Sequence, residues 1–230
     1  MGADGRFRTA RGQVSAAQRD ALPGRDRRWP LPAALAHLSG LVAEFAGRSG
    51  KPVSLAMNVP PGILVSSAVV DAIMPVLVQL LRNAVNHGIE PSIFRVAGGK
   101  PLVGRVSLDI RLGQHAIGFA VKDDGRGIDP EEIAVIAVAS GLVGLEEVAR
   151  LRPAGMQALI FRPGFTTVTG PAAALHHGNG LALGEARLAP LGGGLTLQSR
   201  PGKGATFTAF VPRDLGVDVR ADEGASSHAA

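Results

Sequence analysis

The chain has 230 residues, with 24 lysines and arginines against 19 acidic residues and a formal net charge of +5. Its length suits one domain with tails, and its 46% hydrophobic and 19% charged residues exclude a wholly disordered chain. The chain has no cysteine, which excludes a disulfide scaffold, a thiolate zinc site and a cysteine nucleophile. No stretch of about 20 apolar residues predicts a membrane span, and the N-terminus lacks the apolar core of a signal peptide, so we expect a cytoplasmic protein.

The positive charge is concentrated at the N-terminus. Residues 1–30 hold seven arginines and three aspartates, which is +4 of the total of +5. We predict three regions: a basic flexible segment at 1–32, a folded domain at 33–213 and a flexible tail at 214–230. A basic tail is able to bind nucleic acid, but the aromatic residues that would stack on bases are almost absent among these arginines, so we expect no nucleic-acid partner.

Apolar periodicity and turn residues predict a series of helices and strands. In chain order these are a helix at 35–48, a strand at 51–59, helices at 67–73 and 75–88, a hairpin of strands at 106–112 and 116–121, a helix at 130–139, a helical piece near 146–160, a helix at 180–191 and strands at 195–199 and 205–211. Helices that are segregated from a mixed sheet predict a two-layer α/β sandwich with the helices on one face.

The helix at 75–88 carries an unusual polar stripe. Opposite its apolar face lie Gln79, Arg82, Asn83, Asn86 and His87. Exposed helix faces are ordinarily rich in Lys and Glu, whereas amides suit a ligand or the water shell of a metal ion. The alternative is an ordinary solvated face.

Two glycine motifs add chemistry to this pattern. Asp123-x-Gly125-x-Gly127 ends a strand, where the glycines allow a tight turn and the approach of a flat ligand, and the carboxylate is able to accept a hydrogen bond from an exocyclic amine. Gly178-x-Gly180 opens a helix, where backbone N–H groups bind phosphate. Each motif alone is common in ordinary turns and helix starts.

The order of the motifs resembles the Bergerat-type ATP-binding fold of histidine kinases, gyrase-type ATPases, Hsp90 and MutL, and most closely the kinase domain of CheA-like histidine kinases. Residues 81–90 resemble the Asn box, 123–128 the first Gly box and 159–167 the Phe box. The resemblance covers about residues 33–213.

This resemblance implies a site for ATP and Mg²⁺. Asn83 would hold Mg²⁺, and Gln79 and His87 would stand beside it among the catalytic residues. The nucleotide-binding residues would be Arg82, Asn86, Asp123, Gly125, Gly127, Ile128, Phe165, Gly178, Gly180, Leu181 and Thr206. Residues 161–180 would form a mobile lid over the phosphates.

The resemblance also implies a reaction and a partner. The γ-phosphoryl group of ATP would pass to a histidine on a separate chain, such as a histidine phosphotransfer domain, in chemotaxis-type two-component signalling with response regulators. His37 lacks the sequence context of a sensor-kinase acceptor, and we therefore expect the acceptor in trans.

Five positions depart from the family pattern. Gln79 replaces the His of CheA proteins or the Glu of other family ATPases, Asn86 replaces Asp, Ala182 replaces Gly, Gly184 replaces Asp and Ala205 replaces Thr. An amide cannot take a proton, so general-base hydrolysis should be slow. The alternatives are a catalytically weakened regulatory module that binds nucleotide and, disfavoured by the Phe box and by the missing Glu, a gyrase- or Hsp90-like ATPase.

Overall fold

The computed structural model describes residues 27–165 and 180–219. The helices are α1 (Leu31–Leu35), α2 (Leu38–Ser49), α3 (Ser67–Asn83), α4 (Ser92–Ala97), α5 (Pro130–Ala139), α6 (Leu145–Ala149), α7 (Pro153–Ala158) and α8 (Gly180–Leu188). The strands are β1 (Arg28–Pro30), β2 (Val53–Asn58), β3 (Ile63–Ser66), β4 (Gly104–Leu112), β5 (Ala116–Asp123), β6 (Gly194–Ser199), β7 (Ala205–Pro212) and β8 (Val217–Val219). Short 3₁₀ turns follow α7, α8 and β7, and a π-helical turn follows α3.

The main sheet has five strands in the order β2-β4-β5-β7-β6. β2 runs parallel to β4 and the other pairs are antiparallel, so the sheet is mixed. Along β4, buried Val106, Leu108 and Ile110 alternate with residues that keep more solvent contact, which is the pattern of a sheet covered on one face. Helices α2, α3 and α8 contact this sheet. The predicted two-layer α/β fold is confirmed.

Helix α3 is continuous through a proline, which corrects the prediction of a short helix at 67–73 and a new helix from 75. The side chain of Ser66 caps its N-terminus by accepting from the backbone N–H of Val69 at 3.2 Å. Pro75 lies inside the helix on its exposed side. Asp71, whose carbonyl loses its helical hydrogen bond to residue 75, is also an exposed residue, while the buried neighbours Ile73 and Val76 hold both halves in the core.

The run Ser67–Gly88 is the one helix among the described residues that is long and apolar enough to cross a membrane by length and composition. Half of its most apolar window is buried inside the protein, and its apolar residues form part of the domain core. Its composition is therefore accounted for by packing within the domain.

A second sheet of three strands, β1-β3-β8, lies outside the sequence prediction. Ser66 anchors it, because its backbone N–H donates to the carbonyl of Gly216 at 2.8 Å and its hydroxyl donates to Leu215 at 2.8 Å. Leu31 and Val217, which were assigned to flexible tails, are buried. Ordered structure therefore begins before the predicted boundary at 33 and continues beyond the one at 213.

The predicted helical piece near 146–160 is two short helices, α6 and α7, followed by the 3₁₀ turn Leu159–Phe161. Pro153 occupies the first turn of α7, and a proline disfavours helical backbone at the residue before it. The helix is therefore interrupted ahead of residue 153.

Candidate functional site

Asp123 is the buried carboxylate of the site. It ends β5 and is 3% exposed. Its Oδ1 atom accepts hydrogen bonds from the backbone N–H groups of Gly125 at 2.9 Å and Ala205 at 3.3 Å. Its Oδ2 atom accepts no hydrogen bond from the residues that the structure describes. Burial raises the pKa of this carboxyl from 3.8 to about 6, although the two backbone donors act in the opposite direction. One oxygen is thus held by the fold, and the other is available to accept a further hydrogen bond.

The glycines after Asp123 are required by the protein's own backbone. A Cβ on residue 125 would lie 2.0 Å from the carbonyl oxygen of Gly88, and one on Gly127, whose φ is +72°, would lie 2.1 Å from the carbonyl oxygen of Arg200. The space that these glycines were expected to leave for a base is thus filled by neighbouring chain. Their direct role is to close the turn beside the carboxylate.

An ion cluster, formed by the buried Arg95 and the partly buried Glu90, Lys100 and Asp124, holds the same turn from the other side. Arg95 is 1% exposed and donates to Glu90 at 3.0 Å and to the side chain of Asp124 at 2.9 Å. Lys100 donates to Glu90 at 2.7 Å and to the carbonyl of Gly125 at 2.6 Å. Burial acts to raise the pKa of Glu90, but the hydrogen bonds and charge of Lys100 and Arg95 lower it below its ordinary value. None of the four was predicted as a site residue, although Glu90 and Asp124 lie in the runs 81–90 and 123–128 that resemble the Asn box and the first Gly box.

The far side of the turn is tied to β6 and α7. The backbone N–H of Ile128 donates to the hydroxyl of Ser199 at 2.9 Å, and the buried amide of Gln157 donates to the carbonyl of Ile128 at 3.0 Å. Thr206 is partly buried and lies opposite Lys122 in the β5–β7 register. Asp123 thus receives its support at this strand from the main chain of Ala205.

A second part of the site lies on α3. The amide nitrogen Nε2 of Gln79 donates to the amide oxygen Oδ1 of Asn83 at 2.8 Å. Gly180, the first residue of α8, lies so close that a Cβ there would be 2.9 Å from Nε2 of Gln79. Gln79, Asn83 and Gly180, which were predicted as site residues, are therefore brought together.

The donor set around Asn83 suits a hard cation that keeps most of its water. No group of three or more His, Asp or Glu side chains that would cage a metal ion occurs in the described residues. Mg²⁺ prefers oxygen ligands and is usually bound through few protein atoms together with water and substrate phosphates. The oxygen of Asn83 fits that requirement.

Asn86 and His87 lie on the widened turn that follows α3. The π-helical hydrogen bond from the N–H of Ile89 to the carbonyl of Ala84 is 2.8 Å long. Lys51 donates to the carbonyls of Asn86 at 2.7 Å and Ile89 at 2.8 Å, which satisfies acceptors that a π turn leaves free. Burial lowers the pKa of Lys51. Asn86 and His87 are both exposed, and Lys51 is a residue that the sequence analysis missed.

Arg82 was expected among the nucleotide-binding residues. In the structure its guanidinium carbon lies 5.2 Å from the ring centroid of Phe45 on α2, within the range of a cation–π contact. Phe165 is buried in the core and Leu181 is packed against it. Gly178 lies outside the described residues.

Two surface cavities lie elsewhere. One of about 630 Å³ is lined by 144–147, 150 and 151, and one of about 570 Å³ is lined by 58–60, 109–111 and 122. Neither cavity is lined by Asp123 or Asn83. The candidate site is therefore identified from its side chains and hydrogen bonds and not from a cavity.

Comparisons with known proteins show which family the chain belongs to. The profile of the histidine kinase-, DNA gyrase B-, and HSP90-like ATPases matches residues 68–215. A gliding motility regulatory protein of Myxococcus xanthus is 35% identical over 174 residues, which cover 76% of this chain and 22% of that protein. The chemotaxis protein CheA of Cereibacter sphaeroides is 35% identical over 153 residues, which cover 66% of this chain and 22% of that protein.

Among solved structures, full-length ShkA in complex with AMPPNP matches with a TM-score of 0.52 and 19% identity, over 89% of this chain and 34% of that chain. This likeness supports the fold. The chain spans less than a quarter of the length of the two relatives named above. Because the profile match covers more than half of the chain, the chain belongs to the histidine kinase-, DNA gyrase B- and HSP90-like ATPase family, as a CheA-like ATP-binding domain.

Proposed function

We propose that this domain binds Mg·ATP and transfers its γ-phosphoryl group to a histidine on a separate histidine phosphotransfer domain. The observation that carries the proposal is the buried carboxylate of Asp123, whose Oδ1 is held by two backbone donors while Oδ2 is left for the exocyclic amine of adenine. The turn beside it is fixed by Lys100 and Arg95. Such a rigid, buried acceptor is what selective recognition of a base requires.

The phosphates and the metal would lie along α3 toward the start of α8. The oxygen of Asn83 would be the protein ligand of Mg²⁺, and the backbone N–H groups at the N-terminus of α8, beginning at Gly180, would face the phosphates. Mg²⁺ would supply charge neutralisation on the transferring group. The protein's own residues would position the nucleotide, because phosphoryl transfer depends chiefly on positioning and electrostatics.

The test combines binding and transfer. Calorimetry should detect ADP and ATP, much weaker GTP, and loss of nucleotide binding in Asp123→Ala. Incubation with γ-labelled ATP, Mg²⁺ and an added histidine phosphotransfer domain should label the added domain, and Asn83→Ala should abolish that label while leaving the fold intact. Equal affinity for ATP and GTP would remove Asp123 from the site, and unchanged metal dependence in Asn83→Ala would remove Asn83.

A second candidate is a nucleotide-binding regulatory module with little turnover. It is favoured by Gln79, an amide that cannot act as a base and that is hydrogen-bonded to the proposed metal ligand. Turnover separates the two functions. If Gln79→His and Gln79→Glu both fail to raise ATP turnover, the regulatory module is the better description.

A further inference from the structure

The hydrogen bond between Gln79 and Asn83 has a direction that matters for metal binding. Gln79 is the donor and the oxygen of Asn83 is the acceptor, at 2.8 Å. An amide group carries its oxygen and its NH₂ on opposite arms, so turning the oxygen of Asn83 toward Gln79 turns its NH₂ away from Gln79. An NH₂ group cannot bind a cation.

The neighbouring chain restricts Gln79 in this arrangement. The start of α8 approaches so closely that a Cβ at Gly180 would lie 2.9 Å from Nε2 and 3.1 Å from the Cδ atom of Gln79. Gln79 is half-buried, and its amide therefore has few alternative positions. The donor group is kept against Asn83 from the α8 side.

We propose that Gln79 is a positioning residue that withholds the oxygen of Asn83 from Mg²⁺, so that metal binding by the nucleotide complex is weakened by the amide at position 79. The inference rests on the proposed function, in which Asn83 is the metal ligand. A carboxylate at position 79 would act in the opposite sense, because it accepts from the NH₂ of Asn83 and so turns the oxygen of Asn83 outward. A side chain without polar hydrogens would release Asn83 without adding charge.

The experiment compares Gln79→Met, Gln79→Glu and Gln114→Met. Methionine keeps the length of glutamine and the packing against Gly180 but cannot donate. Gln114 is exposed in the turn between β4 and β5, at the other end of β5 from Asp123, and provides the same chemical change away from the site. For each protein the affinity for ADP is measured by calorimetry with excess chelator and with saturating Mg²⁺, and the ratio of the two affinities gives the metal dependence. Denaturant unfolding verifies that each variant is folded.

Releasing the oxygen from one neutral hydrogen bond should raise this ratio roughly three- to tenfold in Gln79→Met. Gln79→Glu should raise it at least as much, and Gln114→Met should leave it at the wild-type value. A lower ratio in Gln79→Met would show that Gln79 is itself a metal ligand and would overturn the inference. An unchanged ratio in both variants at position 79 would overturn it as well, because the hydrogen bond would then not compete with the metal.

Failure of the proposed function gives a different result. If the wild-type chain binds no ADP with chelator or with Mg²⁺, the nucleotide site itself is wrong, and the inference falls with it. If ADP binds without Mg²⁺ and the metal dependence follows the pattern above, both stand.

Discussion

The backbone N–H of Ala205 donates to Oδ1 of Asp123 over 3.3 Å, from the position at which related domains are expected to carry threonine. The loss of the threonine hydroxyl therefore leaves the carboxylate with a main-chain donor. The N–H of Gly125 donates to the same oxygen at 2.9 Å, so both backbone hydrogen bonds are made to Oδ1. The proposed function assigns the other oxygen to the ligand, and this proposal leads to a prediction about base selectivity.

Asp123→Asn should change which purine the site prefers. The two backbone donors will keep the amide oxygen of the asparagine at the Oδ1 position, so its NH₂ will occupy the Oδ2 position and face the ligand. There it would meet the 6-amino group of adenine, donor against donor, but would pair with the 6-oxo group of hypoxanthine. We expect ATP to bind about two orders of magnitude more weakly than to the wild type, and ITP to bind better than ATP.

Calorimetry with ATP and ITP on both proteins measures this change of preference. Asp71→Asn, an exposed position on α3, provides the control and should keep the preference of the wild type. If Asp123→Asn still prefers ATP to ITP, Oδ2 does not face the base.

The same carboxyl should make stability depend on pH. Its pKa is raised to about 6 in the folded protein by burial, so the folded state holds the proton more tightly than the unfolded state. Stability should therefore fall as pH rises from about 4 to about 6 through this group, and the full loss, about 3 kcal/mol, should be present above that range. Removing the charge should remove this loss.

Thermal unfolding of the nucleotide-free wild type and Asp123→Asn between pH 4 and pH 8 tests this expectation. Asparagine keeps the oxygen that accepts from Gly125 and Ala205, so the variant should be more stable than the wild type at pH 8 by up to about 3 kcal/mol and nearly equal to it at pH 4. Asp71→Asn should show no such pH-dependent difference. A constant difference at all pH values would mean that the charge of Asp123 is not the cause.

Features that depend on neighbouring residues in the chain are predictable from the sequence, whereas features that depend on contacts between distant residues are not. Helix α5 was predicted at 130–139 and is found at Pro130–Ala139, because the acidic residues of its first turn, Glu131 and Glu132, lie next to Pro130 and are a local signal of a helix start. The β4–β5 hairpin was also predicted from a local signal, because two alternating segments flank the turn residues at 113–115. Strands β3 and β8 were missed because each is short and their pairing joins Ser66 to residues near 215, with no local signal.

In the candidate site, too, residues within motifs were predicted and contacts between distant residues were not. Asp123 and Asn83 were identified from motifs, but the ion cluster was not, because it joins Glu90, Arg95 and Asp124 across two loops. The direction of the Gln79–Asn83 hydrogen bond is a property of side-chain placement that no spacing encodes. The glycines of the turn were expected to leave room for a ligand, whereas contacts with distant backbone require them.

Two glycines in one loop offer a matched comparison of backbone contact. Gly202 and Gly204 both have positive φ, +75° and +83°, but a Cβ at Gly202 meets nothing within 4 Å, whereas one at Gly204 would lie 2.0 Å from the carbonyl oxygen of Asp123. Gly202→Ala should cost about 1–2 kcal/mol from the left-handed backbone alone. Gly204→Ala should cost about 1–3 kcal/mol more, because the strand end that carries Asp123 must move.

Chemical denaturation gives both costs, and ADP affinity gives an independent readout. Gly204→Ala should weaken ADP binding in the fraction that remains folded. Gly202→Ala should keep the ADP affinity within a factor of about two of the wild type, which is less than the tenfold change that corresponds to 1.4 kcal/mol. Equal costs for the two variants would show that the loop adapts and that residue 204 does not fix the carboxylate.

Arg95→Met should be among the most destabilising single changes in the domain. The guanidinium is 1% exposed and joins Glu90, Asp124 and the carbonyl of Pro101. Its removal leaves Glu90 with Lys100 alone and Asp124 with only the backbone N–H of Arg105. Because both carboxylates keep a donor, we expect a cost of about 3 kcal/mol, the low end for breaking a buried ion pair. The exposed Arg105, at the start of β4, provides the control, and Arg105→Met should change stability by less than about 0.5 kcal/mol. Denaturant unfolding measures the stability of both variants. If Arg95→Met loses as little stability as Arg105→Met, the cluster contributes little to the stability of the domain.

The placement of the histidines bears on the identity of the phosphoryl acceptor. His37 precedes α2, whose residues Leu38, Val42 and Phe45 are buried, so its helix is fixed in the domain's own core. His115 lies in the turn between β4 and β5, at the end of β5 that is opposite Asp123. His87 is exposed on the π turn, and the remaining three histidines of the sequence, at 176, 177 and 228, lie outside the described residues.

In-line transfer requires an acceptor nitrogen within about 3–3.5 Å of the γ-phosphorus, which a helix packed into the same core cannot reach without unfolding. We therefore expect no acid-labile label on this chain when it is incubated alone with γ-labelled ATP and Mg²⁺, and label only on an added histidine phosphotransfer domain. His37→Gln should support transfer to the added domain as well as the wild type does. Acid-labile label on the chain alone that disappears in His37→Gln would mean that α2 is an acceptor helix and that the domain phosphorylates itself.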